Sequence, residues 1–425
     1  MSSGSSKPVR RSIVSTAAQS RHRRKSHEEA HAGSEAVATP ILAHAMVPQG
    51  PPKLIADGRE LDVLLQALRE AGMFGFDTEF IGEATYSPKL CLIQTATVND
   101  ISLIDPLADV DLRGFWELIA DPTVVKVVHA GMQDLEPVVR LLNKPPRNVF
   151  DTQIGAGFIG QPHQMGMGNL AERLLGVKPA HGVKFSQWDG RPLTNAQLRY
   201  AADDVRYLPL LMEKIVEKAR ELGNEAWMRE EMGRLEHESQ YVFDPAKARM
   251  RVRGVEHLTP RQRSIGHVVL LWREDAAQKH DVPPRQLMNE EVVATLARMF
   301  ETRQCAVDDL TKVKGLPRPV RQELGHEIAA AVNNGRTCDI EDWMQAPPDW
   351  IHDDELRPAV ETTLKSIRVA AETRKIDVGL VTSKKEMFKL MRAFRRKQST
   401  ANFRVMSGWR SELTKDALQD FARNS

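Results

Sequence analysis

The sequence has 425 residues, room for about three domains, and its 41% hydrophobic and 27% charged residues are ordinary for a globular chain. It has no apolar run of about 18 residues, no apolar core after the basic start MSSGSSKPVRRSIVS, and three scattered cysteines, Cys91, Cys305 and Cys338; these features argue against a transmembrane helix, a secretory signal, a disulfide scaffold and a zinc site, and suggest a reducing cytoplasm. The formal net charge of +2, from 59 Lys and Arg against 57 Asp and Glu, gives by itself no sign of a polyanionic partner.

Residues 1–50 are rich in Ser, Ala and basic side chains, with seven Lys or Arg between Lys7 and Lys25 before the first acid, Glu28. A disordered basic tail is the simplest expectation, since such a stretch cannot bury enough apolar surface to order itself. A transit peptide or a nucleic-acid-binding arm would share that composition. From Pro51 strands and helices alternate. Leu61, Leu64, Leu65 and Leu68 give Leu61–Ala71 a helical spacing. Met73–Phe80, Lys89–Thr97 and Asp100–Ile104 read as strands, the last two joined by a turn at Val98-Asn99-Asp100. Val124–His129 is a fourth strand, a helix starts near Gln133, and Pro192–Lys218 is expected as one long amphipathic helical stretch. This interleaving predicts an α/β domain with a mixed sheet flanked by helices. Beyond Asp244 the strand signals fade. Thr259–His280 carries helical periodicity, and Pro347-Pro348 with the acidic run Asp353–Glu355 marks a seam between two small helical domains. The expected division is a tail over 1–50, the α/β domain over 51–245, and helical domains over 246–338 and 339–425.

Three carboxylate signals stand out. In Phe76-Asp77-Thr78-Glu79-Phe80 the period of two puts Asp77 and Glu79 on one face of a strand with apolar neighbours. Such a pair wants cations, and oxygen-only ligands select hard ions such as Mg²⁺ or Mn²⁺. On a solvated strand the same pattern is merely a charged face. In His129-Ala130-Gly131-Met132-Gln133-Asp134 a strand runs into a glycine turn, and Asp134 lands in the first helical turn. There it can serve the helix N-terminus or face the same cations. Tyr200 and Asp204 stand at i and i+4 on one helical face, whereas Asp203 is turned about 100° away, toward solvent.

Taken together, and in this order, these segments resemble the motifs of the ribonuclease D family, in the DEDD exonuclease superfamily. The resemblance rests on Phe76–Phe80, Tyr86 with Leu90-Cys91-Leu92-Ile93-Gln94, His129-Ala130-Gly131 with Asp134-Leu135, Phe150-Asp151-Thr152-Gln153, and Arg191-Pro192-Leu193 followed by Gln197-Leu198-Arg199-Tyr200-Ala201-Ala202 and Asp204. Tyrosine four residues before Asp204 is similar to the DEDDy branch. The resemblance implies a ribonuclease H-like exonuclease domain in which Asp77, Glu79, Asp134 and Asp204 hold two divalent metal ions, Mg²⁺ or Mn²⁺, while Tyr200 orients the attacking water. It implies 3′→5′ exoribonuclease activity that releases nucleoside 5′-monophosphates, on tRNA precursors or other structured RNA with 3′ extensions. Phe80, His129 and Lys184 are candidate substrate contacts, and Asp151 is read as a helix cap. Gln94 is taken as a hydrogen-bonded structural residue. The run His181–Trp188 departs from the family at its Lys, Gln and Asp positions, although Ser186 and Trp188 match.

In the C-terminal half, Leu271-Trp272-Arg273, Asp281-Val282-Pro283 and Leu310 with Val313 and Gly315 resemble the HRDC domain, and Met406-Ser407-Gly408-Trp409-Arg410 resembles the tail of a second HRDC-like domain. Between Lys384 and Arg410 nine Lys or Arg accompany one acid, Glu386. This is either a phosphate-gripping stripe or a solvated helical face. RNA is the expected partner, with no membrane and no obligate protein partner. The rival readings are a 3′→5′ DNA exonuclease and a non-catalytic RNA-binding protein on the same fold.

Overall fold

The computed structural model describes residues 40–82, 85–179, 187–245, 254, 257–341, 344 and 353–423. The readings of residues 1–39 as a tail, of Lys184 as a substrate contact and of Pro347-Pro348 as a seam lie outside these residues. The chain forms two compact units, one drawn from Val37–Phe80, Leu90–Val242 and Ile351–Ser425, the other including Ile81–Lys89 and Phe243–Trp350.

The α/β part runs β1 (Lys53–Ile55), α1 (Gly58–Ala71), β2 (Met73–Ile81), β3 (Lys89–Ala96), β4 (Ile101–Ile104), α2 (Arg113–Ile119), β5 (Val125–Val128), α3 (Met132–Leu142), β6 (Val149–Asp151), α4 (Thr152–Ala156), α5 (Met167–Leu175), α6 (Asn195–Arg206), α7 (Leu208–Glu221) and α8 (Glu225–Met232). The six strands order β1-β4-β3-β2-β5-β6. β1 pairs parallel with β4, β2 with β5 and β5 with β6, while β3 and β4 are antiparallel, so the sheet is mixed as expected.

Local chemistry sets the element ends. Asp57 caps α1 by accepting from Arg59 N and Glu60 N, and Gly72 closes it in the left-handed region at φ 67°. The expected single helix over 192–218 is two. Tyr207 ends α6, and Leu208-Pro209 opens α7, because proline has no N–H to continue the ladder but suits a first turn.

β2 separates two environments. Phe74 and Phe76 pack with Leu61, Leu65 and Leu68 of α1, Phe115 and Trp116 of α2, and Leu135 and Val138 of α3. The alternate residues, Gly75, Asp77 and Glu79, share the other face. There the α6–α7 junction comes so close that a Cβ on Gly75 would lie 2.8 Å from Leu208 Cβ and 3.2 Å from the Val205 carbonyl oxygen. Residues just before β1 have defined contacts too: Val47 is buried, and the guanidinium of Arg206 donates to the carbonyls of Pro48 and Gly50.

Four C-terminal helices belong to the same unit as the sheet; to keep chain order they are numbered after the second unit's helices, as α13 (Asp353–Thr373), α14 (Val378–Val381), α15 (Lys384–Arg395) and α16 (Gly408–Arg423). Trp409 packs edge-on to Phe158 with centroids 5.0 Å apart and stacks on Trp227 at 5.9 Å. Glu231 of α8, almost fully buried, bonds Arg410 at 2.7 Å, Arg234 at 2.7 Å and the Trp409 indole N–H at 3.0 Å. These bonds hold its pKa down to about 2 despite a burial penalty that opposes ionisation.

The second unit is a helical bundle of α9 (Pro260–His280), α10 (Pro284–Leu287), α11 (Glu290–Met299) and α12 (Arg318–Thr337). Its core includes Ile265, Val269, Leu296, Phe300, Leu324 and Ile328. Tyr86 packs against this core, its hydroxyl donating to Glu274 at 2.8 Å. No helix among the described residues is long and apolar enough to cross a membrane.

Candidate active site

Asp77 and Glu79 stand on the inner face of β2, Asp134 in the first turn of α3, and Tyr200 with Asp204 on α6. Each is set by the framework around it. Thr194 caps α6 in a reciprocal capping box with Gln197. Asp151 does more than the expected cap. It accepts from Gln153 N at 2.8 Å, from Ala130 N at 3.0 Å and from Gly131 N at 3.1 Å, tying α4 to the turn that delivers Asp134. Gly131 must be glycine-small, since a Cβ would fall 2.5 Å from Val128 Cβ.

The acids act on one another. Asp77 is pushed well above the usual carboxylate range by burial and then by Asp134, Asp204 and Glu79. Glu79 rises to about 8, from burial and from Asp204 and Asp134. Asp134, 8% exposed, is pushed up to about 6 by burial, with the Thr78 hydroxyl it accepts pulling the other way. Tyr200 is raised above its ordinary value by burial and by Asp204, Glu79 and Asp77, and its hydroxyl hydrogen-bonds Asp204. The phenol is therefore neutral, and because a carboxylate can only accept, it donates to Asp204. All four carboxylates lie within electrostatic reach. In this arrangement, however, no three His, Cys, Asp or Glu side chains among the described residues are drawn into a closed chelating group.

A cavity of about 350 Å³ opens on Asp77, Tyr200 and Asp204, with His129, Gln153 and Asn169 also in its wall, while Glu79 and Asp134 are not among the described lining residues. His129 lies in its wall, with Nε2 3.0 Å from the Met165 carbonyl and Nδ1 2.9 Å from the Thr152 hydroxyl. Burial lowers its pKa against the pull of Asp151, so the ring is neutral and Nε2, facing a carbonyl, carries the proton. Phe80 is half-buried farther along β2 and is not among the described lining residues. Asp203 does not face solvent as expected. It bonds the buried Arg206 at 3.0 Å, because the helix places that guanidinium one turn away. Gln94 is fully buried, yet neither amide atom has a hydrogen-bond partner among the described residues, against the expectation of a bonded residue. Sequence reasoning missed the lining of α5, where Gly166, Met167, Gly168 and Asn169 reach the cavity. The glycine-flanked start of that helix was the only available signal.

Residues 52–220 match the 3′-5′ exonuclease domain family. The chain is 37% identical to ribonuclease D of Zymomonas mobilis over 69% of this chain and 75% of that one. It is 31% identical to ribonuclease D of Granulibacter bethesdensis over 86% and 92% respectively. Among solved structures it is similar to Escherichia coli RNase D, an exoribonuclease involved in structured RNA processing, with a TM-score of 0.76, 27% identity, and coverage of 88% of this chain and 99% of that chain. Sequence, fold and acid cluster agree, and the chain belongs to the ribonuclease D family of 3′→5′ exoribonucleases.

Proposed function

We propose that the protein shortens the 3′ ends of tRNA precursors and similar structured RNAs in the cytoplasm, with Asp77, Glu79, Asp134 and Asp204 holding two divalent cations, Mg²⁺ or Mn²⁺. The observation that carries this reading is the crowding of buried carboxylates beside the cavity that Asp77 and Asp204 line: burial raises Asp77 and Glu79, and their acidic neighbours raise them further. Such a set fits hard cations, since its donors are all oxygen and its excess negative charge is what a cation relieves. Bound there, the ions would neutralise the acids, acidify an attacking water and stabilise the departing 3′-oxygen.

The protein's own groups supply orientation. Tyr200 stays protonated, so it is no base; it donates to Asp204 and keeps lone pairs to accept a hydrogen bond from the attacking water. His129, neutral and braced on both nitrogens, shapes the wall beside the terminal nucleotide. Phe80 and Lys184 are retained as further substrate contacts. We assign α9–α12 and α13–α16 to HRDC-like modules that help hold RNA. The exposed Lys385 and Lys397 support this, whereas Arg410 turns inward to Glu231 and Arg404, though exposed, pairs with the same carboxylate. The test is hydrolysis of matched 3′-extended tRNA and DNA, scoring released nucleoside 5′-monophosphate. Preference for the RNA is expected, and equal rates on DNA would remove the RNA assignment.

A further inference from the structure

Arg191 stands in the connection leading to α6, and all five of its N–H donors are used. Nε and one Nη2 hydrogen bond the Asp105 carboxylate, each at 2.6 Å. The other Nη2 hydrogen goes to the Cys91 carbonyl of β3 at 2.8 Å. Nη1 donates to the carbonyls of Trp188 at 2.7 Å and Gly190 at 2.8 Å. Asp105, 6% exposed, is itself fixed to the sheet, its backbone N–H bonding the Ile55 carbonyl of β1 at 2.8 Å. The guanidinium therefore fastens the loop that enters α6 to the end of the sheet.

That loop carries Trp188, which is 2% exposed and lies with its ring centroid 6.1 Å from that of Tyr200. Among the described residues the Trp188 indole N–H has no acceptor, and the ring is held by packing and by the grip of Arg191 on its carbonyl. We propose that Arg191, anchored by Asp105, is a positioning residue for catalysis, holding Trp188 against Tyr200 so that the phenol stays aimed at Asp204. This rests on the role given above to Tyr200. Lysine cannot replace it, because one ammonium has three donors and no planar fork with which to span a carboxylate and three carbonyls.

A double-mutant cycle tests this on the full-length protein at saturating Mg²⁺. Arg191→Lys is expected to lower kcat by about tenfold with KM changed less than about twofold. In a Tyr200→Phe background the same change should cost less than about twofold further. Equal losses in both backgrounds, or a loss confined to KM, would overturn the proposal while leaving Tyr200 in place. If Tyr200→Phe alone retains wild-type kcat, the role of Tyr200 fails first and this proposal falls with it. Melting curves check that each variant is folded. Should Arg191→Lys not fold, Asp105→Asn, which keeps the shape of the anchor, runs the same cycle with the same two outcomes.

Discussion

Replacing Gly75 by alanine probes how the α6 residues are brought to β2. The added Cβ would sit 2.8 Å from Leu208 Cβ and 3.2 Å from the Val205 carbonyl oxygen. Carbon atoms rest comfortably at about 3.5–4.0 Å, so the α6–α7 junction must retreat by about 1 Å. Leu208 and Val205 are buried backbone-near groups that cannot swing aside as a long side chain can. Overpacking of this kind costs about 1–3 kcal/mol. The larger effect is catalytic, because Asp204 directly precedes Val205 and moves with it. A displacement of about 1 Å at a reacting centre costs on the order of 100-fold in rate. Single-turnover nucleotide release from a labelled RNA, with a melting curve on the same sample, separates the two effects. The expectation is a Tm lower by a few degrees and a rate reduced about 100-fold. A normal rate at a lowered Tm would refute the reasoning that the close approach at Gly75 sets the placement of Asp204.

Three further outcomes follow from the charges. Glu231 has its pKa lowered to about 2, so its contribution is full above its ordinary value near 4.5 and is lost as pH falls from there toward 2; this is about 3 kcal/mol. Urea melts of wild type and Glu231→Gln should converge across that window, and a constant gap would contradict the buried network. Glu79 is raised to about 8, so the metal-free protein binds more protons folded than unfolded and should lose stability as pH rises from about 4.5 to about 8. Mg²⁺ at pH 8 should recover that loss in wild type but not in Asp134→Asn, as read by Tm. Lys385→Glu with Lys397→Glu should weaken RNA binding and reduce its salt dependence by about one counterion per lost phosphate contact. If titrations from low to high salt superpose with wild type, the stretch from Lys385 to Lys397 is a solvated face.

Much of this was legible in the sequence wherever a short period fixes geometry. The alternation along Phe74–Glu79 alone separates the aromatic core from the acids, and the i, i+4 spacing brings Tyr200 beside Asp204. β1 and β6 were not legible, because three residues are too few to show a period. The break at Tyr207 was available in Pro209 but was hidden by apolar spacing that continues across it. The basic run after Lys384 gave charge without direction: Arg410 points inward to Glu231 and Arg404 pairs with the same acid, which a count of charges could not show. Arg191 stood out only as part of the Arg191-Pro192-Leu193 motif, and its bonds could not be read, because its partners Cys91 and Asp105 lie 100 and 86 residues away. Composition hid this too: a net charge of +2 averages buried acids that repel one another with arginines spent inside the fold.

The most direct test is release of nucleoside 5′-monophosphate from a 3′-extended tRNA with and without divalent metal, for wild type, Asp77→Asn and Asp204→Asn. The account predicts stepwise release from the 3′ end in Mg²⁺, arrest by chelator, and a loss of at least about a thousandfold in both folded variants. Undiminished hydrolysis in chelator, or by either variant, would contradict it.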